Sequence, residues 1–410
     1  MDKLETDVLV AGGGIAGLSV AARLAAAGHR VLCADPKPEA SDPAAEASAD
    51  RRTTAFLMPS MESFRRAGAW PRMAPEATPL AEMRIVSAEG GSGMAAGAAP
   101  VTRAEAGFAA RELGSDTPFG FNIRNMIARA ALAEALQDSP HGQLASGVSV
   151  ERVIPRRDDA VARLSDGRRV NARLVIAADG RDSQLRDAAG IPVRRWAHPQ
   201  KALVLTITHP EPHDGVSTEF HRPGGPLVLV PLPNIGGQPA SSVVWVNSPE
   251  RADTLMAMED GALSAALTAE TMGRFGALTL AGKRAVWPVI SQIALRLDGE
   301  RLALVGEPAH VVPPTGAQGA NLSIADGEAL ASLVAERAAA GGDIGAPDLL
   351  SAYSRARMPD IALRVGGTEL LNRIAHTANA PLIGLRSLGV GAIARVPALR
   401  RALMRTGLGG

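Results

Sequence analysis

The chain has 410 residues, 46% hydrophobic and 21% charged, enough apolar mass for two or three packed domains; pervasive disorder and a polytopic membrane protein are excluded. Forty-three basic side chains against 42 acidic ones leave a net charge of +1, so no overall field favours nucleic acid. The single cysteine, Cys33, excludes a disulfide framework and a thiolate metal site, and the eight histidines show no metal-ligating spacing, so no metal is expected.

The first residues, Met1 to Asp7, are mostly acidic and carry no secretory signal. No apolar run approaches the ~20 residues that span a bilayer. A cytoplasmic protein is expected, with any contact to the inner membrane peripheral. Residues 7–11 read as a short buried strand. Gly12-Gly13-Gly14-Ile15-Ala16-Gly17 follows, then an apolar helix ending at Gly28 and a second strand ending at Asp35. This is Gly-x-Gly-x-x-Gly in a strand–turn–helix–strand unit. Gly12 permits the tight turn, Gly14 lets the backbone approach a pyrophosphate, and Gly17 lets the helix pack close to the strand. The helix N-terminus, with Ile15 and Ala16, offers free N–H groups to phosphate, and Asp35 would accept hydrogen bonds from the adenosine ribose. The motif fits FAD and NAD alike. Cys33 faces the core and reads as packing.

Arg51-Arg52-Thr53-Thr54 follows a loop rich in Ala, Pro and Ser, and Phe119 to Asn125 opens a helix over MIARAALAEAL. Residues 174–186 form a strand, a tight Asp179-Gly180 turn and a helix start. Strands are expected over 201–208, 216–221, 227–232 and 241–247, with turns at Gly224-Gly225-Pro226 and Asn234 to Gly237, and a helix over 250–275. Residues 301–305 are another buried strand, breaking at Gly306-Glu307-Pro308. The chain then runs through Pro313-Pro314 and Gly316-Ala-Gln318-Gly319-Ala320-Asn321 into a helix containing Asp326. Beyond Glu369 every charged residue is Arg, and leucines at 385, 388, 399 and 403 mark one apolar helical face. That pattern suits an amphipathic helix packed on the protein's own core, or contact with an anionic surface.

The three motifs, in this order, resemble those of flavin-dependent aromatic hydroxylases of the p-hydroxybenzoate hydroxylase type. Four further segments narrow the resemblance to the ubiquinone-biosynthesis hydroxylases of the UbiH/UbiF/VisC type: Asp50 to Ala55, Phe119 to Asn125, Ser351 to Asp360 with Leu370 to Arg373, and Pro381 to Met404. The resemblance implies an α/β protein with a Rossmann-like FAD-binding domain, related to glutathione reductase, and an inserted sheet-rich substrate domain. The FAD domain would use residues 1–75, 101–186 and 290–360, the substrate domain 76–100 and 187–289, and a basic helical region 361–410. It implies that Asp179 and Gly180 lie by the pyrophosphate, that Gly306 and Glu307 meet the ribityl chain, and that Pro314, Gly316, Gln318, Gly319, Ala320 and Asn321 surround the isoalloxazine. Arg52, Thr53 and Arg124 or Asn125 would also contact the cofactor. The family normally has Asp where this chain has Glu307.

The implied reaction is ring hydroxylation of a lipophilic phenol or quinol by dioxygen through a flavin hydroperoxide. The electron donor would be NAD(P)H or a redox protein, and proteins of a ubiquinone-synthesis complex are possible partners. The alternatives are a hydroxylase of another aromatic compound and a non-catalytic member scaffolding such a complex. The sequence names no catalytic base: His209, His213 and His221 read as surface or structural, and His310 as a residue that holds the flavin loop.

Overall fold

The computed structural model describes residues 3–37, 52–89, 101–113, 117–222, 225–314 and 316–375. Runs of β-branched and aliphatic residues build a parallel sheet whose central strands are buried on both faces. Its order is Leu302–Leu304, Arg169–Ala177, Lys3–Ala11, Val31–Asp35 and Gly142–Ser146. Successive strands leave Lys3–Ala11 first to one side and later to the other, so their carboxyl ends part there and open the crevice where such sheets bind ligands. An antiparallel pair, Val150–Pro155 and Ala160–Leu164, flanks Arg169–Ala177. Helix Ile15–Ala26 lies against Asn125–Asp138 and Gln318–Ala339, burying Leu18, Val20, Leu24, Leu132 and Leu330 in one core.

The second sheet runs His310–Val311, Ala285–Ala294, Val193–Thr208, Gln238–Asn247, Leu227–Ile235, Val216–His221, Glu82–Glu89, Val101–Ala109. Neighbouring strands in this order are antiparallel except Val216–His221 with Glu82–Glu89. Side chains alternate across it. Leu203, Leu205, Leu227, Leu229, Val243 and Trp245 bury themselves with Leu255, Leu263 and Leu267 of helices Pro249–Ala257 and Asp260–Glu270. Ala202, Val204, Ser242 and Val244 point the other way and line a cavity. A small sheet, Thr53–Leu57, Gly120–Arg124 and Thr78–Pro79, lies beside Leu227–Ile235 and is tied to it by Asn122, whose Nδ2 donates to the Pro231 carbonyl at 2.8 Å.

Several expected boundaries move. Residues 101–109, expected in the cofactor domain, join the second sheet because Val101–Ala109 forms an antiparallel ladder with Glu82–Glu89. Strand Ala285–Ala294 carries the second sheet past residue 289. The helix expected over 250–275 is two helices, since Met258 and Glu259 are extended. No break falls at 360: helix Pro347–Ala375 continues through Pro359, held by buried Tyr353, Ile361 and Val365. Gly224 and the amphipathic pattern over 385–405 lie outside the described residues.

Candidate active site

Three strand ends meet at the crevice. The Ala178 amide donates to the Ala11 carbonyl at 2.8 Å and the Val305 amide to the Ala177 carbonyl at 3.0 Å. Gly12, Asp179 and Gly306 are thereby neighbours. Gly12 takes a φ of +106°, and a Cβ there would stand 2.3 Å from the Ala178 carbonyl oxygen, so it serves both turn and close contact. A Cβ on Gly17 would stand 1.9 Å from the Gly12 oxygen; helix Ile15–Ala26 approaches that closely. Gly14 and Gly180 differ: nothing lies within 4 Å of a Cβ at either. Gly13, which the motif leaves unassigned, is also constrained, since its Cβ would meet Asp35 Oδ2 at 2.3 Å.

Helices Ile15–Ala26 and Gln318–Ala339 both begin at this crevice with no side-chain cap and no acidic residue in the first turn. Their first N–H groups are thus left for a ligand, and the positive dipole end favours negative charge. Open backbone over Gly14 and Gly180, beside an uncapped helix, suits a pyrophosphate. The donor set fits FAD. Ile15 and Ala16 form the first turn of the opening helix, and Ala16 lies against Gly306, whose Cβ would approach the Ala16 methyl to 3.1 Å.

Asp35 is buried at the end of Val31–Asp35, with Oδ1 accepting from the Lys37 amide at 2.8 Å and Oδ2 3.4 Å from Arg129. Asp179 turns back to cap its own loop, accepting from Ser183 Oγ at 2.6 Å. Burial pushes its carboxyl above the usual range, partly offset by Ser183 and the Leu185 amide. Cys33 is fully buried, and burial raises its thiol far from reactivity. Glu307 is half exposed, with Arg181 Nε 3.8 Å from its carboxylate.

Between this crevice and the second sheet lies a cavity of about 270 Å³. Thr53, Asn125, Arg181 and Pro314 line one side, and Val204, Val244, Trp287, Val289 and Ile290 the other. Arg52 also lines it, its guanidinium 5.0 Å from the Trp287 ring centroid. Thr54 Oγ1 donates to Asn125 Oδ1 at 2.7 Å. Of the expected pair Arg124 and Asn125, only Asn125 lines the cavity; Arg124 is turned to a salt bridge with Glu76. The Asn321 side chain is paired within the protein. Its Oδ1 accepts from Leu57 N and Ser60 Oγ, and its Nδ2 donates to the Ala55 and Ala317 carbonyls. With its side chain spent on strand Thr53–Leu57, Asn321 is a latch for the helix start. Gln318 Nε2 donates to the Gly316 carbonyl at 3.0 Å, and its Oε1 accepts from Arg364. Ala317, at a φ of +54°, sets the backbone that opens the helix, with Gly319 and Ala320 in its first turn.

The loops are braced by residues that motif reading missed. Arg129 Nε donates to the Gly13 carbonyl at 2.9 Å. Arg186, buried, donates to the carbonyls of Arg181 and Pro308. His310 holds its loop as expected: its Nε2 lies 2.6 Å from Asp326 Oδ2. Gln292, fully buried, donates through Nε2 to the carbonyls of Arg181 and Glu307, at 3.3 and 3.0 Å, clamping two cofactor loops together. Gln292→Leu leaves both carbonyls without that donor, at a cost of about 1–3 kcal/mol. We expect FAD to bind about tenfold more weakly in a flavin fluorescence titration; unchanged affinity would mean that the loops hold their own shape. Polar residues inside apolar runs, Gln292 in VISQIA and Arg129 in ARAALA, were the signal available.

Residues 5–365 match the family model described as "FAD binding domain". The ubiquinone hydroxylase UbiL of Rhodospirillum rubrum is 33% identical over 405 residues, covering 98% of this chain and 89% of that protein. The 3-demethoxyubiquinol 3-hydroxylase of Escherichia coli is 28% identical, covering all of both. In fold, the chain is similar to p-nitrophenol 4-monooxygenase PnpA from Pseudomonas putida, with a TM-score of 0.76 at 18% identity over 100% of this chain and 99% of that one. Crevice, paired loops and full-length kinship lead to one conclusion: the chain belongs to the FAD-binding-domain family, among the flavin-dependent aromatic monooxygenases of ubiquinone biosynthesis.

Proposed function

We propose that the protein hydroxylates the aromatic ring of a polyprenylated phenol or quinol intermediate of ubiquinone biosynthesis. The observation that carries this reading is the apolar cavity of about 270 Å³ between the glycine loops and the second sheet. Bound FAD supplies the redox chemistry, passing electrons from NAD(P)H or a redox protein to dioxygen. The chain does the rest. Gly14 and Gly180 leave room for the pyrophosphate, and Asp35 accepts from the ribose. Thr53, Asn125 and Pro314 bound the ring side, and the first amides of helix Gln318–Ala339 would hold negative charge on it. Val204, Val244, Val289 and Ile290 give the substrate an apolar wall. The Arg52–Trp287 stack covers one side of the cavity.

Among the described residues no helix is long and apolar enough to cross a membrane. The acid-free, arginine-bearing stretch after Glu369 supports peripheral contact with an anionic bilayer, where a polyprenyl substrate resides, and docking to other quinone-synthesis proteins. A deletion strain is expected to accumulate a polyprenylated precursor lacking one ring oxygen, seen by mass spectrometry of quinone intermediates. Normal ubiquinone with no accumulated precursor would remove the biosynthetic role and leave hydroxylation of another aromatic compound.

A further inference from the structure

Strand Gln238–Asn247 carries two adjacent serines that meet different surroundings. Side chains alternate along it, so Ser241 and Ser242 face opposite ways. Ser241 stands beside Ile207, on the face that packs into the core with Leu203 and Leu205. Its hydroxyl is taken up there by His209, whose Nε2 lies 2.9 Å from Ser241 Oγ. Ser242 stands between Thr206 and Val230, on the face that carries Val204 and Val244. With Val204 and Val244 it lines the cavity between the cofactor crevice and the second sheet.

The second sheet gives that cavity Ala202, Val204, Val244, Val289 and Ile290, with Trp287 beneath Arg52. Among the described residues it contributes there, Ser242 alone bears a hydroxyl. No described residue takes up the Ser242 hydroxyl in a hydrogen bond, whereas Thr54 Oγ1 across the cavity is spent on Asn125. The guanidinium groups that line the cavity are engaged elsewhere, Arg52 over the Trp287 ring and Arg181 toward Glu307. A hydroxyl set into an apolar wall is costly unless something pairs with it, so Ser242 Oγ calls for a partner that enters the cavity.

We propose that Ser242 Oγ hydrogen-bonds the ring hydroxyl of the substrate and thereby fixes the ring against the second sheet. The assignment rests on the phenol-hydroxylase reading and deepens it to a specificity contact. A serine hydroxyl both accepts and donates. The neutral phenol donates its O–H to Ser242 Oγ; as negative charge builds on the ring oxygen, the serine O–H donates to it instead. A hydrogen bond to a charged oxygen is the stronger of the two, so the contact tightens as the ring becomes electron-rich. A ring without the hydroxyl leaves Ser242 unpaired, and the site discriminates against it.

The test is a binding cycle on oxidised, FAD-loaded enzyme, read by the change in flavin absorbance. The two probes are a short-chain ortho-prenylphenol and the matching prenylbenzene. Wild type should prefer the phenol by about tenfold or more. Ser242→Ala should bind the phenol about tenfold more weakly and prenylbenzene as before, so that the preference disappears. Ser242→Thr keeps the hydroxyl on a residue suited to a strand and should keep the preference, whatever the added methyl does to both affinities. Ser241→Ala, on the core face, should keep it too. A preference that is absent in wild type, that survives Ser242→Ala, or that Ser241→Ala abolishes equally, overturns the assignment. Should Ser242→Ala fail to retain FAD, Ser242→Cys replaces it: the thiol is a weak hydrogen-bonding group, so a fall in the preference supports the contact and an unchanged one overturns it. Single turnover of reduced wild-type enzyme with oxygen tests the underlying reading separately. Prenylphenol that binds with the expected preference and is left unoxidised overturns phenol hydroxylation, a result distinct from any of the binding ratios.

Discussion

Asp326→Ala is expected to destabilise the protein by about 3–5 kcal/mol and to release its flavin. Asp326 is fully buried in helix Gln318–Ala339, and both carboxylate oxygens are used. Oδ1 accepts from Arg357 Nε at 2.9 Å; Oδ2 accepts from His310 at 2.6 Å and from the Gly306 amide at 3.3 Å. Alanine removes the fully buried carboxylate from the Arg357 guanidinium, itself largely buried, and leaves Asp360, at 3.0 Å, as its remaining partner. Removing one carboxylate from a buried ion network leaves the cation under-compensated, which is costly in a core. The damage is also local to the site, because the same carboxylate fastens Gly306 and His310 at either end of the loop containing Glu307. Asp326→Asn keeps the shape and two polar atoms and should lose less, since only the charge facing Arg357 disappears. Thermal unfolding with and without FAD, followed by flavin release on dilution, measures both effects. An Asp326→Ala protein as stable and as yellow as wild type would show that Asp360 alone satisfies Arg357 and the loop needs no anchor.

The parts of this site readable from the sequence were those in which one local pattern performs one local task. Gly12, Gly14 and Gly17 sit on a turn whose conformation and spacing are set within six residues, and the strand before it and helix after it are announced by apolar runs. The same holds for Asp179-Gly180 and for the helix start at Gln318. Strand Val216–His221 was readable from alternation alone. What stayed hidden depends on partners distant in the chain. Arg129 meets Gly13 across 116 residues, and Asn321 meets Leu57 across 264. No local pattern reports such pairings. Strand Val101–Ala109 was misassigned because its Ala-rich sequence alternates weakly, and its pairing with Glu82–Glu89 decides where it belongs. Helix Pro347–Ala375 ignores its internal proline because tertiary burial on both sides of Pro359 outweighs the lost backbone hydrogen bond.

Two glycines three residues apart separate folding from cofactor binding. Gly14→Val should leave a folded, colourless protein, with FAD affinity lowered at least about 100-fold, or about 2.7 kcal/mol. The backbone at Gly14, with φ −71° and ψ 175°, is an extended conformation that valine adopts readily. Nothing in the chain lies within 4 Å of a Cβ there. The new side chain therefore meets no protein atom in that space, and the apo-protein should unfold within about 0.5 kcal/mol of wild type. That same space is the one a pyrophosphate needs in order to reach the amides of helix Ile15–Ala26. Gly17→Val is the contrasting case. Its Cβ would stand 1.9 Å from the Gly12 carbonyl, so helix and strand must part and the fold itself should fail. Circular dichroism, thermal scans of the apo-proteins and flavin titration distinguish the two. Flavin bound to Gly14→Val as tightly as to wild type would mean that the phosphates lie elsewhere along the crevice. A stable Gly17→Val would mean that the helix is not packed as closely as the loop geometry requires.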